Sequence, residues 1–191
     1  MMQIGLFFGS FNPIHAGHLA LANYMCEFEE MDEVWFVVSP QNPFKSKADL
    51  IDTNHRLNMT QLATSEYSKF KVVDIETQLP IPSYTIDTLT ELHKRHKNCI
   101  FNLIMGADNI QNIQRWKDGD RILSDYCILV YPRTGYSTEN LEVPLSVKYT
   151  DAPVIEISST KIRTWLKEGK QLPYFITPVV LEYIELNKLY Q

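Results

Sequence analysis

Short apolar runs that alternate with helical patterns predict a doubly wound α/β fold, a parallel sheet with helices on both faces, in a single domain over 1–191. Two further observations support this. The runs are continuously apolar, as in Val34-Trp35-Phe36-Val37-Val38, which suits strands buried on both faces. Several of them end in glycine- or serine-bearing turns, where open parallel sheets bind ligands. At 191 residues, 45% hydrophobic and 21% charged, the chain has the composition of an ordinary globule with room for a substantial core.

The first strand, Ile4 to Phe8, leads into Gly9-Ser10-Phe11-Asn12-Pro13-Ile14-His15-Ala16-Gly17-His18. A helix follows, with Leu21, Met25 and Phe28 at i, i+4 and i+7. The second strand, Val34 to Val38, ends at Ser39-Pro40. The polar loop Gln41 to Lys47 carries Lys45, read either as a mobile point charge over a phosphate or as a solvated surface lysine. Thr53 to Ser65 reads as a helix with Leu57, Leu62 and Ala63 among its apolar positions, and Phe70 to Ile75 as the third strand. Leu79 to Thr85 is a loop stiffened by Pro80 and Pro82. It feeds a helix to about Lys97, with Ser83 as N-cap and Ile86, Leu89 and Leu92 facing inward.

The fourth strand, Ile100 to Met105, ends at Gly106-Ala107-Asp108 and a short helix to Trp116. Asp108 reads as a helix cap, as an acceptor for a ribose diol, or as both. Cys127 to Tyr131 is the fifth strand, ending at Pro132-Arg133. Residues 134–152 lack periodicity and read as a surface excursion. Val154 to Ile157 is expected as the last strand, running into Ser158-Ser159-Thr160-Lys161-Ile162-Arg163. Gly169 closes that helix and Thr177-Pro178 opens the final one.

Composition excludes several classes. Net charge is −5, from 18 Lys+Arg against 23 Asp+Glu, with no basic stripe, so a nucleic-acid partner is not expected. The apolar runs are too short to span a bilayer, and Met-Met-Gln-Ile-Gly lacks the basic start of a secretory signal. Cys26, Cys99 and Cys127 stand singly among apolar neighbours, so buried free thiols and a cytoplasmic location are expected. No Cys/His spacing suggests structural zinc.

The chemistry concentrates at two strand-to-helix junctions. His15 and His18 are three apart and share a helix face, beside turn amides free to point at an anion. The stretch is neither G-x-x-x-x-G-K-[ST] nor G-x-G-x-x-G, which excludes a P-loop and the usual dinucleotide fingerprint. Ser159 and Arg163 are four apart and form either a second anion clamp or a serine-capped helix with an exposed arginine.

Residues 9–18 resemble the H-x-G-H signature of the nucleotidyltransferase superfamily, with glycine, phenylalanine, proline and both histidines in register. Pro82-Ser83-Tyr84-Thr85-Ile86-Asp87-Thr88-Leu89, Met105-Gly106-Ala107-Asp108-Asn109, Arg115-Trp116 and Ile157 to Arg163 narrow the resemblance to bacterial nicotinate mononucleotide adenylyltransferases, over essentially the whole chain. The resemblance implies a Rossmann-like fold. It implies transfer of AMP from ATP to nicotinate mononucleotide, giving nicotinate adenine dinucleotide and pyrophosphate, with Mg²⁺ held by the substrate phosphates. It also implies the site. His15, His18, Lys45 and Arg163 are the expected catalytic residues. Gly9, Ser10, Phe11, Gly17, Gly106, Asp108, Ser158 and Ser159 are the expected ATP contacts. Ser83, Tyr84, Thr85, Trp116 and the backbone of Lys117 are expected to receive the nicotinate nucleotide, with Trp116 either stacking on the pyridine or serving as a core aromatic.

The chain departs from that pattern in a shorter loop before Lys45, in Phe44 where many members have His, and in Asn12 where Asp is frequent. The alternatives are adenylyl transfer to nicotinamide mononucleotide or phosphopantetheine, or a non-catalytic nucleotide sensor. Phosphopantetheine enzymes typically have Thr where this chain has His15. The physics agrees with a direct transfer. A nucleoside monophosphate is already largely dianionic, with its second pKa at about 6. In-line attack on the α-phosphorus then needs positioning and charge stabilisation more than a general base. The free amides at Ser83-Tyr84-Thr85 suit a carboxylate, which only accepts.

Overall fold

The computed structural model describes residues 1–41, 50–136 and 144–191. The chain runs β1 (Met2–Gly9), α1 (Ala16–Phe28), β2 (Glu33–Val38), α2 (Thr53–Thr64), β3 (Phe70–Val73), α3 (Thr85–Arg95), β4 (Cys99–Gly106), α4 (Ala107–Ile110), α5 (Gly119–Asp125), β5 (Cys127–Tyr131), β6 (Val147–Tyr149), α6 (Ser159–Lys167) and α7 (Pro178–Leu186). Two 3₁₀ turns, Ile75–Gln78 and Ile113–Arg115, precede α3 and α5.

The strands form a six-stranded sheet in the order β3-β2-β1-β4-β5-β6. Every pairing is parallel, and β1 registers Gly9 against Val38 on one side and Phe7 against Ile104 on the other. This is the doubly wound order, in which the chain leaves β1 in one direction and returns to β4 in the other.

Side-chain alternation divides the core in two. Phe7, Val34, Phe36, Val38, Ile104 and Leu129 point to the face covered by α1, α2, α6 and α7. Ile4, Leu6, Trp35, Val37, Leu103, Met105, Ile128 and Val130 point to the face covered by α3, α4 and α5. Burial on both sides explains why the strand sequences carry no polar alternation.

Four local expectations are corrected. Val154–Ile157 joins no strand; the sixth strand is Val147–Tyr149, inside the stretch expected as a surface excursion. Thr150 ends that edge, its amide donating to Val130 O at 2.9 Å. Ile155 and Ile157 pack on the core and line a cleft, which produces their strand-like alternation without a ladder. Phe28 is 68% exposed and stacks on Tyr24 at 4.8 Å, while Leu21 and Met25 are buried as expected. Cys26 is buried, but Cys127 is exposed, because β5 begins at the solvent end of the sheet; all three thiols are free. Ser83 does not cap α3; Tyr84 occupies the cap position.

Candidate active site

The carboxyl ends of β1 and β4 lie side by side where the sheet order reverses, and a cleft of about 590 Å³ opens there. All described candidate residues from the sequence line it except Gly106. Lys45 lies outside the described residues.

The turn after β1 is held through its carbonyls. Gly9 O accepts from the Ser39 amide at 2.9 Å, and Ser10 O from Arg56 Nη1 at 2.8 Å. Asn12 O accepts from Arg163 Nη1 at 3.0 Å, and Pro13 O from Ser159 Oγ at 2.9 Å. Tyr190 donates its hydroxyl to Asn12 Oδ1 at 2.8 Å. Four acceptors of the turn region, the carbonyls of Gly9, Ser10, Asn12 and Pro13, are thus engaged by the protein itself. The Ser10 hydroxyl is buried without a partner among the described residues.

Phe11 has φ 45°, a left-handed conformation costly for a bulky residue. Its ring lies so close beneath Gly9 that a Cβ there would sit 2.7 Å from it, so only glycine fits. The ring meets His18 edge-on at 5.1 Å and packs against Phe36 at 5.5 Å. Phe11 therefore supports the turn and the His18 ring through its side chain.

The imidazoles of His15 and His18 stack at 3.6 Å, with 23° between their planes. The His15 amide donates to His18 Nδ1 at 3.3 Å, which leaves the neutral His18 proton on Nε2. Burial, reinforced by the Arg133 guanidinium, lowers the His15 pKa from 6.5 to about 4. His15 is then a neutral hydrogen-bond donor at physiological pH. Gly17 leaves space beside this ring, since a Cβ there would approach His15 Nδ1 to 3.1 Å.

This burial has a consequence for stability. Between the folded value of about 4 and the unfolded value of 6.5, the unfolded chain binds more protons at His15. The His15 contribution is present in full above about pH 6.5 and is lost as pH falls towards about 4. Thermal melts at pH about 7.5 and about 4.5 are expected to show a smaller acid loss for His15→Asn than for the parent. An equal loss in both would assign the acid sensitivity to other groups.

Ser158 caps α6, its hydroxyl accepting from the Lys161 amide at 3.3 Å. Ser159 and Arg163 bind α6 to the β1 turn, and Arg163 keeps further N–H donors beyond the one used on Asn12. The β1 turn and the start of α6, 146 residues apart in the chain, are thus one surface.

At the end of β4, Gly106 is the cap residue of α4, and Asp108 makes no capping bond. A Cβ on Gly106 would lie 2.3 Å from Asp108 Oδ1 and 3.0 Å from Arg133 Nε. Its absence admits the Asp108–Arg133 pair at 3.6 Å. Asp108 lines the cleft, and its Oδ1 is buried against Gly106 and Arg133 without a hydrogen bond among the described residues.

On the third side, α3 begins with no side-chain cap. Ser83 instead donates its hydroxyl to Glu76 at 2.8 Å. Lys117 pairs with Asp87 at 2.8 Å and lies 5.1 Å from the Tyr84 ring centre. Trp116 lines the cleft and packs partly on the second core.

Two cleft residues, Arg133 and Glu76, and one that braces the cleft from behind, Arg56, carry no local sequence motif of a site. Arg133 was legible only as the end of a strand. Glu76 sat in an expected strand-to-loop passage, and Arg56, which braces Ser10, in an unremarkable helical pattern. Their signal was a charged residue at a position of apolar periodicity or at a strand's carboxyl end. Among the described residues, no group of three or more His, Cys, Asp or Glu side chains is placed to hold a metal. No described helix is long and apolar enough to cross a membrane.

The parallel sheet with its cleft at the strand ends is that of a nucleotidyltransferase-like α/β protein: residues 6–165 match the cytidylyltransferase-like family, and the chain belongs to it. A Flavobacterium johnsoniae protein named probable nicotinate-nucleotide adenylyltransferase is 47% identical over 192 residues, covering 100% of both chains. A Bacteroides fragilis protein of the same name is 52% identical over 182 residues, covering 95% of this chain and 90% of its own. The structure of Plasmodium falciparum nicotinic acid mononucleotide adenylyltransferase complexed with NaAD shares the fold, with a TM-score of 0.85 at 23% identity, covering 100% of this chain and 98% of that one.

Proposed function

We propose that this enzyme transfers AMP from ATP to nicotinate mononucleotide, giving nicotinate adenine dinucleotide and pyrophosphate in NAD biosynthesis. The observation that carries the reading is the convergence on one cleft of two anion clamps and an uncapped helix start. The names of the full-length relatives support it. An oxygen of the mononucleotide phosphate attacks the α-phosphorus of ATP in line. The bond from that phosphorus to the bridging oxygen breaks, and pyrophosphate leaves with the electron pair. No proton has to move and no enzyme-linked intermediate forms.

In this mechanism the β1 turn amides, Ser10 and the His15 and His18 N–H groups hold the α- and β-phosphates. Arg163, Ser159 and Lys45 stabilise the departing pyrophosphate. Asp108 accepts from the adenosine ribose. Mg²⁺, when bound, would be held by the ATP phosphates and would supply positive charge that stabilises the departing pyrophosphate. The three free cysteines support a cytoplasmic enzyme.

The first amides of α3 take the nicotinate carboxylate. An amide ring substituent would turn its NH₂ against donors or leave one of them unpaired, a mismatch costly to bury. Pyrophosphate release with ATP and Mg²⁺ is expected to give a kcat/KM for nicotinate mononucleotide at least about tenfold above that for nicotinamide mononucleotide. Equal values would sink this account of the α3 start. Release with phosphopantetheine alone would sink the proposed substrate.

A further inference from the structure

Glu76 is 3% exposed, stands in the 3₁₀ turn Ile75–Gln78 and lines the cleft beside Ser83, Tyr84 and Thr85. Its two carboxylate oxygens take two different hydroxyls. Oε2 accepts from Ser83 Oγ at 2.8 Å, and Oε1 from Thr88 Oγ1 at 3.0 Å. Ser83 lies just before the cap residue of α3, Tyr84, and Thr88 lies one turn into the helix. Both donors are themselves buried. Among the described residues Glu76 forms no ion pair.

A buried carboxylate answered only by hydroxyls is an expensive way to hold a loop against a helix. The cheaper solution, a Ser, Thr, Asp or Asn at the cap position, would cover the first amides of α3. Tyr84 stands there instead and offers no side-chain bond. Glu76 braces the helix start through its neighbours without occupying its amides.

We propose that Glu76 is a positioning residue for the pyridine end of the cleft, holding Ser83 and Thr88 so that the open start of α3 keeps the geometry that receives a carboxylate. The proposal rests on the reading of that helix start as the seat of the nicotinate group. It implies an effect confined to one of the two substrates, because the ATP clamps are built on the β1 turn and α6.

Steady-state kinetics of Glu76→Ala, Glu76→Gln and Thr88→Val test it, with melting temperatures measured alongside. Glu76→Ala is expected to raise the KM for nicotinate mononucleotide about tenfold, with the KM for ATP within about twofold of the parent. Glu76→Gln is expected to recover most of this, because each hydroxyl either donates to or accepts from an amide side chain. Thr88→Val removes one brace at nearly constant shape and is expected to give a smaller rise of the same selectivity. It carries the test if Glu76→Ala does not fold. An unchanged KM for nicotinate mononucleotide, or an equal rise for both substrates, would overturn the proposal. So would failure of a folded Glu76→Gln to recover binding. The parent enzyme separates the two readings: if it turns over nicotinamide mononucleotide as well as the acid, the nicotinate seat falls before any variant is compared.

Discussion

His18→Ala is expected to lower kcat by roughly 10²–10³, as loss of one preorganised donor to developing phosphate charge does elsewhere. The ring is fixed on several sides. It stacks on His15 at 3.6 Å, meets Phe11 edge-on at 5.1 Å and meets Phe7 at 6.0 Å. Its Nδ1 is engaged by the His15 amide, so its one N–H is at Nε2. A donor held this way needs no reorganisation when charge builds on the phosphates. Alanine removes the donor and leaves the β1 turn pinned by Arg56, Arg163 and Ser159. The loss is therefore expected in kcat, with the circular dichroism spectrum and the KM for nicotinate mononucleotide little changed. Turnover near the parent value in single-turnover pyrophosphate release would show that the ring serves only to start α1.

Arg56→Met is expected to lower the melting temperature by about 10 °C. Arg56 is among the largest fully buried side chains. Its guanidinium donates to Ile51 O at 3.1 Å, Ser10 O at 2.8 Å, Ser39 O at 2.7 Å, Pro40 O at 2.9 Å and Thr53 Oγ1 at 3.0 Å. Methionine fills much of the volume but leaves four carbonyls without those donors. Each unpaired buried acceptor costs about 1–3 kcal/mol, and water reaching some of them limits the sum to about 4 kcal/mol. In a chain of this size, 1 kcal/mol corresponds to about 2–4 °C. Arg56→Lys is not expected to rescue, because one ammonium cannot replace a planar fork that reaches groups on both sides. A fall below about 3 °C for Arg56→Met, read by thermal circular dichroism, would mean that the carbonyls are satisfied without a guanidinium.

These two residues differ in how far the sequence revealed them. His18 belongs to a ten-residue stretch in which strand end, turn and helix start are neighbours in the chain. Its partners His15, Phe11 and Phe7 are all within eleven positions of it. Arg56 acts across 46 residues on Ser10, and nothing local distinguishes it from a solvated helix arginine. Glu76 is similar: its partners Ser83 and Thr88 are close in sequence, but its burial follows from the way α3 packs on the sheet.

The local chain specifies the alternation of strands and helices, the burial of the sheet on both faces, and the stretches around His15, Ser83 and Ser159 that line the cleft. Each depends on periodicity or on spacing within about ten residues. The sixth strand was misplaced because a three-residue edge carries one buried side chain, Val147, too little for a pattern, while Ile155 and Ile157 alternate because they line the cleft. Long-range packing settles that α6 lands on the β1 turn, that burial lowers the His15 pKa, that Glu76 and Arg133 line the cleft, and that Arg56 braces it through Ser10. The reason is physical. A desolvated histidine and a braced carbonyl are products of neighbours brought together by the sheet order β3-β2-β1-β4-β5-β6, and that order is set by long-range packing rather than by the local chain.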